Sequence, residues 1–308
     1  CAMTDWHSIA EQIASASGRP FNPERPQSVG GGCINRAVVL LGDPVAHSLS
    51  PRLHNAANQA AGVDGIYVAL QCLRDDLPGF LRGLSRGGGG GNVTLPHKEK
   101  AATVLDRPLH AVRRTGACNT FWFENGQVVG DNTDVEGLRR SLRDFLGRSP
   151  EGARVLLVGA GGAARAALVA LLDDGVGEVA VTNRTMERAR NMVRRIGGAR
   201  TRLLATRTAW HGQSYDLVVN ATSVGLHKGD PSPLSLERLG SIGGVVDMVY
   251  REGTTNFVES AQRLGIPSMD GRPMLAHQAA AAFERWWDQP APLEVMQSAL
   301  TEPVAGRG

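Results

Sequence analysis

Long apolar runs are absent from this 308-residue chain. None comes near the roughly 18 consecutive apolar residues of a membrane span, so no transmembrane helix is expected. An excess of one charge is missing too. The 33 basic residues face 30 acidic ones, a net charge of +3. That balance gives no electrostatic case for a nucleic-acid or membrane-surface partner. Cysteine is scarce. Cys1, Cys33, Cys72 and Cys118 stand far apart, with neither a C-x-x-C pair nor metal-ligand spacing. Free thiols in a reducing compartment are the default. His47, His97 and His277 share no spacing that would hold a metal. The start has no basic-then-apolar signal pattern, so the expected location is cytoplasmic. What is present, 42% apolar and 20% charged residues, is ordinary for a globular protein. The length fits about two domains.

Residues 1–35 read as a separate extension. Trp6, Ile9, Ala10 and Ile13 have the spacing of a short helix. Pro20, Pro23, Pro26 and Gly30-Gly31-Gly32 read as linker. From Arg36 strands and helices alternate. Ala37–Leu41 is an apolar strand. Ser50-Pro51 starts a helix, with Ser50 as N-cap, and Gly62 stops it. Strand Ile66–Leu70, helix Leu77–Leu84, strand Asn92–Leu95 and helix Lys98–Leu105 follow. Thr120–Phe123 and Gln127–Val129 flank the hairpin signal Asn125-Gly126. After helix Thr133–Leu146 and strand Arg154–Gly159 comes a βαβ series. Its parts are helix Gly162–Leu172, strand Val179–Thr182, helix Met186–Ile196, strands Leu217–Asn220 and Val245–Met248, and helix Thr255–Leu264. The last expected helix is Pro273–Trp287. This alternation predicts an α/β protein. The first domain has a mixed, mostly parallel sheet, and the second a parallel sheet with helices on both faces.

A glycine run, Gly87–Gly91, leads into Asn92-Val93-Thr94-Leu95-Pro96-His97-Lys98. Pro96 ends the strand, having no N–H for a ladder. Lys98 then lies past a strand end and near a helix start, where α/β proteins place ligands. Such a turn could hold phosphate, cover the apolar edge of a helix, or do acid–base chemistry.

Gly159-Ala160-Gly161-Gly162-Ala163-Ala164 fits the G-x-G-x-x-G/A form, between an apolar strand and an alanine-rich helix. Gly159 allows the tight turn, Gly161 lets backbone approach a pyrophosphate, and Ala164 keeps helix and strand close. The helix start offers free N–H groups and a positive dipole end. At the end of the next strand stand Asn183-Arg184-Thr185, with Arg188 one turn on. No acid stands there to take a ribose hydroxyl, and a guanidinium can grip a 2′-phosphate. NADP is therefore expected over NAD.

A nicotinamide enzyme that oxidises an alcohol also moves a proton. Lys98 is one candidate for that work. Asp131 and Asp134, in Gly130-Asp131-Asn132-Thr133-Asp134, are others, and both could equally be caps. A lysine–aspartate pair would explain Lys98 and Asp134 together. Ser48 and Ser50 are two apart beside a helix start, which suits a carboxylate. Asn119 and Gln278 are amides able to bind hydroxyls or to serve structure.

Together the motifs resemble the shikimate dehydrogenase family, from about Ala37 to Trp287. The blocks are Gly42–Pro51, Asn92–Lys98, Gly116–Thr120, Gly130–Asp134, Gly159–Ala164, Asn183–Thr185, Asn220–Thr222, Asp247–Tyr250, Asp270-Gly271 and Met274–Ala279. Each is weak alone, and in this order they are specific. The resemblance implies NADPH-dependent, reversible reduction of 3-dehydroshikimate to shikimate, in chorismate and aromatic amino-acid biosynthesis. The partner is then a small molecule, and the chain a monomer or homodimer. Lys98 and Asp134 become the catalytic pair. Ser48, Ser50 and Tyr250 hold the substrate carboxylate, while Thr94, Asn119, Asp134 and Gln278 bind ring hydroxyls. Gly159, Ala160, Gly161, Gly162, Ala163, Asn183, Arg184, Thr185, Arg188, Met248 and Gly271 contact the cofactor. The implied division is 36–133 with 270–308 as substrate-binding catalytic domain and 134–269 as NADP-binding Rossmann domain, around an active-site cleft. Three features depart from the pattern: the extension before Arg36, Val249, and Arg272-Pro273. Two alternatives stand beside this: a quinate/shikimate dehydrogenase using NAD(P), and a non-catalytic NADP-binding sensor, which would be expected to have lost the lysine or aspartate.

Overall fold

The computed structural model describes residues 36–206 and 208–301. The helix expected around Trp6–Ile13 lies outside them. The chain divides into two compact bodies. One holds 36–108, Cys118–Gly130 and 282–301, and the other Leu109–Ala117 and Asp131–Ala281.

The first body is built on β1 (Arg36–Gly42), α1 (Ser50–Ala60), β2 (Gly65–Gln71), α2 (Leu77–Arg86), β3 (Gly90–Val93), α3 (Lys98–Ala102) and β4 (Arg107–Pro108). After α4 (His110–Thr115), which belongs to the second body, β5 (Thr120–Glu124) and β6 (Gln127–Asp131) complete the sheet. Its order is β2-β1-β3-β5-β6-β4. β1 runs parallel to β2 and β3, β4 parallel to β6, and β3 antiparallel to β5. Asn125 and Gly126 have φ of 51° and 79°, the paired positive values of a tight hairpin turn. Val38, Leu40, Val45 and Tyr67 pack with Ala282 and Trp286 to form one core.

The second body has α5 (Thr133–Leu146), β7 (Arg154–Val158), α6 (Gly162–Asp173), β8 (Glu178–Thr182), α7 (Met186–Ile196) and β9 (Thr201–Leu203). It continues through β10 (Tyr215–Asn220), β11 (Ile242–Asp247), α8 (Asn256–Arg263), β12 (Ser268–Met269) and the start of α9 (Arg272–Trp287). The order β12-β11-β10-β7-β8-β9 is parallel throughout. It reverses direction between β7 and β10, the doubly wound pattern that binds ligands beyond the strand ends. Val155 and Leu157 of β7 face one core, with α5 and α6, and Leu156 and Val158 face another, with Phe257 and Ala261. Both faces are covered, so β7 is a continuous apolar run.

Several expectations are corrected. Ser50 lies inside α1, whose N-cap is Leu49. The Ser48 hydroxyl accepts the Ser50 N–H at 3.2 Å, doing the capping work expected of Ser50. β3 is Gly90–Val93, two residues earlier than read, because Gly90 and Gly91 pair with Trp122 and Phe121. α3 stops at Ala102. Thr255 caps α8 rather than belonging to it, its side chain accepting from Val258 N. A helix follows α9, α10 (Leu293–Thr301), which packs on α1. The compact bodies follow the packing: α4 packs against α6, and 272–281 groups with the second body.

Candidate active site

In the first body, backbone bonds set three predicted residues around the end of β3. Thr94 N donates to Leu41 O at 2.8 Å, so Thr94 leaves the sheet beside β1. His97 N donates back to Thr94 O at 2.9 Å, closing the turn. The buried His97 ring bonds Cys72 O through Nε2 at 2.8 Å. His97 thus fixes the turn that delivers Lys98 to the first position of α3. Lys98 O in turn accepts from Cys118 N at 2.8 Å, and Asn119 O accepts from Val93 N at 2.8 Å. Thr94, Lys98 and Asn119 are brought together in this way. Asn92 is consumed by structure. It accepts from Tyr67 Oη at 2.8 Å and donates to Asn119 O and Thr120 Oγ1. The Cys72 thiol is pushed up to about 11 by burial, with Asp76 and Asp43 adding to it, so it is no nucleophile near neutrality.

In the second body, Asp134 sits in the first turn of α5 and is 5% exposed. Asn132 places it. Its Oδ1 accepts the Asp134 N–H at 3.2 Å, and its Nδ2 donates to Thr115 Oγ1 and Ala117 O. Asp131 precedes the cap residue, Asn132, and its Oδ1 accepts from Asn132 N at 2.8 Å. A carboxylate in this first turn also meets the positive end of the helix dipole. Gln278, on α9, comes against the same turn. Thr133 Oγ1 reaches Gln278 Oε1 at 3.5 Å. Gly137 makes the approach possible, since a Cβ there would lie 2.7 Å from Gln278 Cβ and 2.9 Å from its N. Asp134 and Gln278 are therefore neighbours, and Asn132 and Gly137 are their supports.

The nucleotide loop lies between β7 and α6. Gly159 has φ +129°, and a Cβ on it would stand 2.8 Å from Ala221 O. Only glycine suits it. Gly161 is different. It is exposed, and a Cβ there would meet nothing within 4 Å. The protein's own packing does not demand glycine at 161, so the open space suits a ligand. No side chain caps α6 at Gly161, leaving the helix start open to an anion. Ala164 is fully buried against the sheet. At the end of β8, Asn183 Nδ2 donates to Thr185 O at 2.8 Å and shapes the turn. Arg184 and Arg188 are exposed, and neither makes an ion pair among the described residues.

Met248 and Tyr250 lie in the loop after β11. Asp247, fully buried at its foot, was not singled out by sequence. It accepts from Asn220 Nδ2 at 2.8 Å, Val249 N at 3.1 Å and Thr255 Oγ1 at 2.6 Å. Burial pushes its carboxyl above the usual range, with these hydrogen bonds opposing. Asn220 also accepts from Thr222 N and Oγ1. The signal was present. Asn220 and Asp247 are register partners, polar residues that end two adjacent apolar strands. Gly271 N donates to Val249 O at 3.0 Å, setting Gly271 against the same loop. No group of three or more His, Cys, Asp or Glu among the described residues could hold a metal.

Three family models match the chain. The shikimate dehydrogenase substrate binding domain covers residues 40–121, the shikimate / quinate 5-dehydrogenase domain 143–227, and the shikimate 5′-dehydrogenase C-terminal domain 271–301. The shikimate dehydrogenase (NADP(+)) of Rubrobacter xylanophilus is 39% identical over 270 residues, covering 86% of this chain and 95% of that one. That of Methanopyrus kandleri is 36% identical over 274 residues, covering 86% and 94%. The crystal structure of shikimate 5-dehydrogenase from Thermus thermophilus, in complex with NADP(H) and shikimate, superposes with a TM-score of 0.77 at 38% identity, covering 86% and 98%. Dinucleotide loop, ordered motif blocks and similarity over most of the chain agree, and this chain belongs to the shikimate dehydrogenase family.

Proposed function

We propose that the chain catalyses the reversible NADPH-dependent reduction of 3-dehydroshikimate to shikimate, as an oxidoreductase of aromatic amino-acid biosynthesis. The observation that carries this is a coincidence in one chain. A dinucleotide loop is followed by a strand end with two exposed arginines and no acid, and a lysine and an aspartate are each fixed at a helix start. The relatives named for NADP and shikimate support the same substrate pair.

NADPH, when bound, supplies the hydride. Gly159, Ala160, Gly161, Gly162 and Ala163 would hold its pyrophosphate, and Asn183, Arg184, Thr185 and Arg188 its 2′-phosphate. Met248 and Gly271 would line its nicotinamide end. The chain's own part is orientation and proton transfer. Ser48 already accepts the Ser50 amide, and its hydroxyl hydrogen remains for the substrate carboxylate, which Ser50 and Tyr250 also meet. Thr94, Asn119 and Gln278 bind ring hydroxyls, so only one ring face and one carbon receive the hydride. In the reductive direction Lys98 gives a proton to the carbonyl oxygen as it becomes a hydroxyl. In the oxidative direction it takes that proton back. Asp134 orients the same hydroxyl.

The functional boundary proposed, 36–133 and 270–308 for substrate and 134–269 for nucleotide, follows the ligands rather than the compact bodies. Gln278 packs in the second body yet serves the substrate. Action in the cytoplasm, as a monomer or homodimer, completes the proposal. Nicotinamide absorbance with shikimate or quinate, each with NADP or NAD, tests it. Turnover preferring shikimate and NADP supports it, and a preference for quinate with NAD would favour the quinate/shikimate alternative.

A further inference from the structure

Arg272 opens α9 next to Gly271 and departs from what its motif block usually carries. Its bonds reach beyond its own helix. Nη1 donates to Asp270 Oδ2 at 2.7 Å, and the Arg272 amide donates to Asp270 Oδ1 at 2.9 Å. Nη2 donates to Arg251 O at 2.6 Å and to Gly253 O at 3.3 Å. Those carbonyls follow Tyr250 in the loop between β11 and α8. The guanidinium is one-third exposed and its carboxylate 15% exposed, so the pair is shielded more than a surface ion pair.

The loop has two differently anchored halves. The near half is tied by backbone. Met248 N donates to Asn220 O at 2.9 Å and Gly271 N to Val249 O at 3.0 Å. A Cβ on Gly271 would lie 2.5 Å from Met248 O, so loop and turn touch there. The far half, past Tyr250, is tied to the same turn by the Arg272 fork. We propose that Arg272 is a positioning residue: by clamping the two carbonyls after Tyr250, it sets that side chain for the substrate carboxylate. This rests on the function proposed above. The planar fork suits the task, because one rigid group meets a carboxylate and two carbonyls at once, which an ammonium on a flexible stem does less well.

Steady-state kinetics of the full chain with shikimate and NADP test this. Arg272→Gln should raise the shikimate KM about tenfold, the scale of one lost charge-assisted hydrogen bond. Its kcat and NADP KM stay near wild type, because Met248 keeps its own anchors. Arg272→Lys should recover part of the loss. Asp270→Asn leaves the guanidinium but removes its carboxylate, and should raise the shikimate KM less, in the same direction. If melting shows that Arg272→Gln does not fold, Asp270→Asn carries the test. An unchanged shikimate KM in folded variants, or equal losses in kcat and both KM values, overturns the proposal. A wild-type chain with no shikimate turnover refutes the underlying function, and this proposal with it. An active wild type with indifferent variants refutes this proposal alone.

Discussion

Lys98 and His54 show how differently two ionisable residues of the first body are used. Lys98 is half-buried and its backbone is bonded to Cys118. Removing its side chain leaves that bond in place. Lys98→Ala should therefore lower kcat about 10²-fold or more with an unchanged melting temperature, and near-normal turnover would remove Lys98 from proton transfer. His54 is 1% exposed and stacks on Tyr67, centroids 4.3 Å apart. Neither ring nitrogen has a hydrogen-bond partner among the described residues. Burial lowers its pKa from 6.5 to about 3. Between those values the unfolded chain binds a proton that the folded chain refuses. Stability at this site is therefore full above 6.5 and falls as pH drops toward 3, by at most about 1.4 kcal/mol per pH unit. His54→Phe should flatten that slope and stabilise by about 1 kcal/mol or more at neutral pH, through loss of the orphaned nitrogens. Denaturant titrations at pH 4, 5.5 and 7, chosen to span about that window, would show an unflattened slope if the assignment is wrong. Lys98, Asp134 and the serines were readable as residue types at loop ends. The partners of Asn92 and His97 were not, because Tyr67 and Cys72 are 25 residues away.

At the level of elements, the βαβ series could be read because β7 and its neighbours are apolar on both faces and the helices between them are long enough to show a period. β4 and β12 have two residues each, and α4 six, too few for any periodicity. α10 was legible in principle, since Met296, Ala299 and Leu300 have helical spacing and are buried. Pro290 and Pro292 just before it mark the chain as loop instead. The closeness of α5 and α9 was hidden in a single residue, Gly137. Gly137→Ala should push Gln278 away, destabilise by about 1–3 kcal/mol and raise the shikimate KM. A variant as stable as wild type, with wild-type KM, would show that the helices have room to spare.

Across the whole molecule, composition only narrowed the field, and the order of motif blocks named the chemistry. The parallel sheet of the second body, with its reversal between β7 and β10, puts Gly159, Asn183 and Asp247 at or just beyond the same strand ends. Sequence gave the loop and the arginines there. It did not give Asp247 its buried partners, which come from the end of β10 and from the loop after β11. The most direct measurement is the rate of nicotinamide absorbance change with shikimate, using NADP and then NAD. Turnover with shikimate that is faster at low NADP than at equal NAD is the predicted result, and no turnover with shikimate and NADP would contradict it.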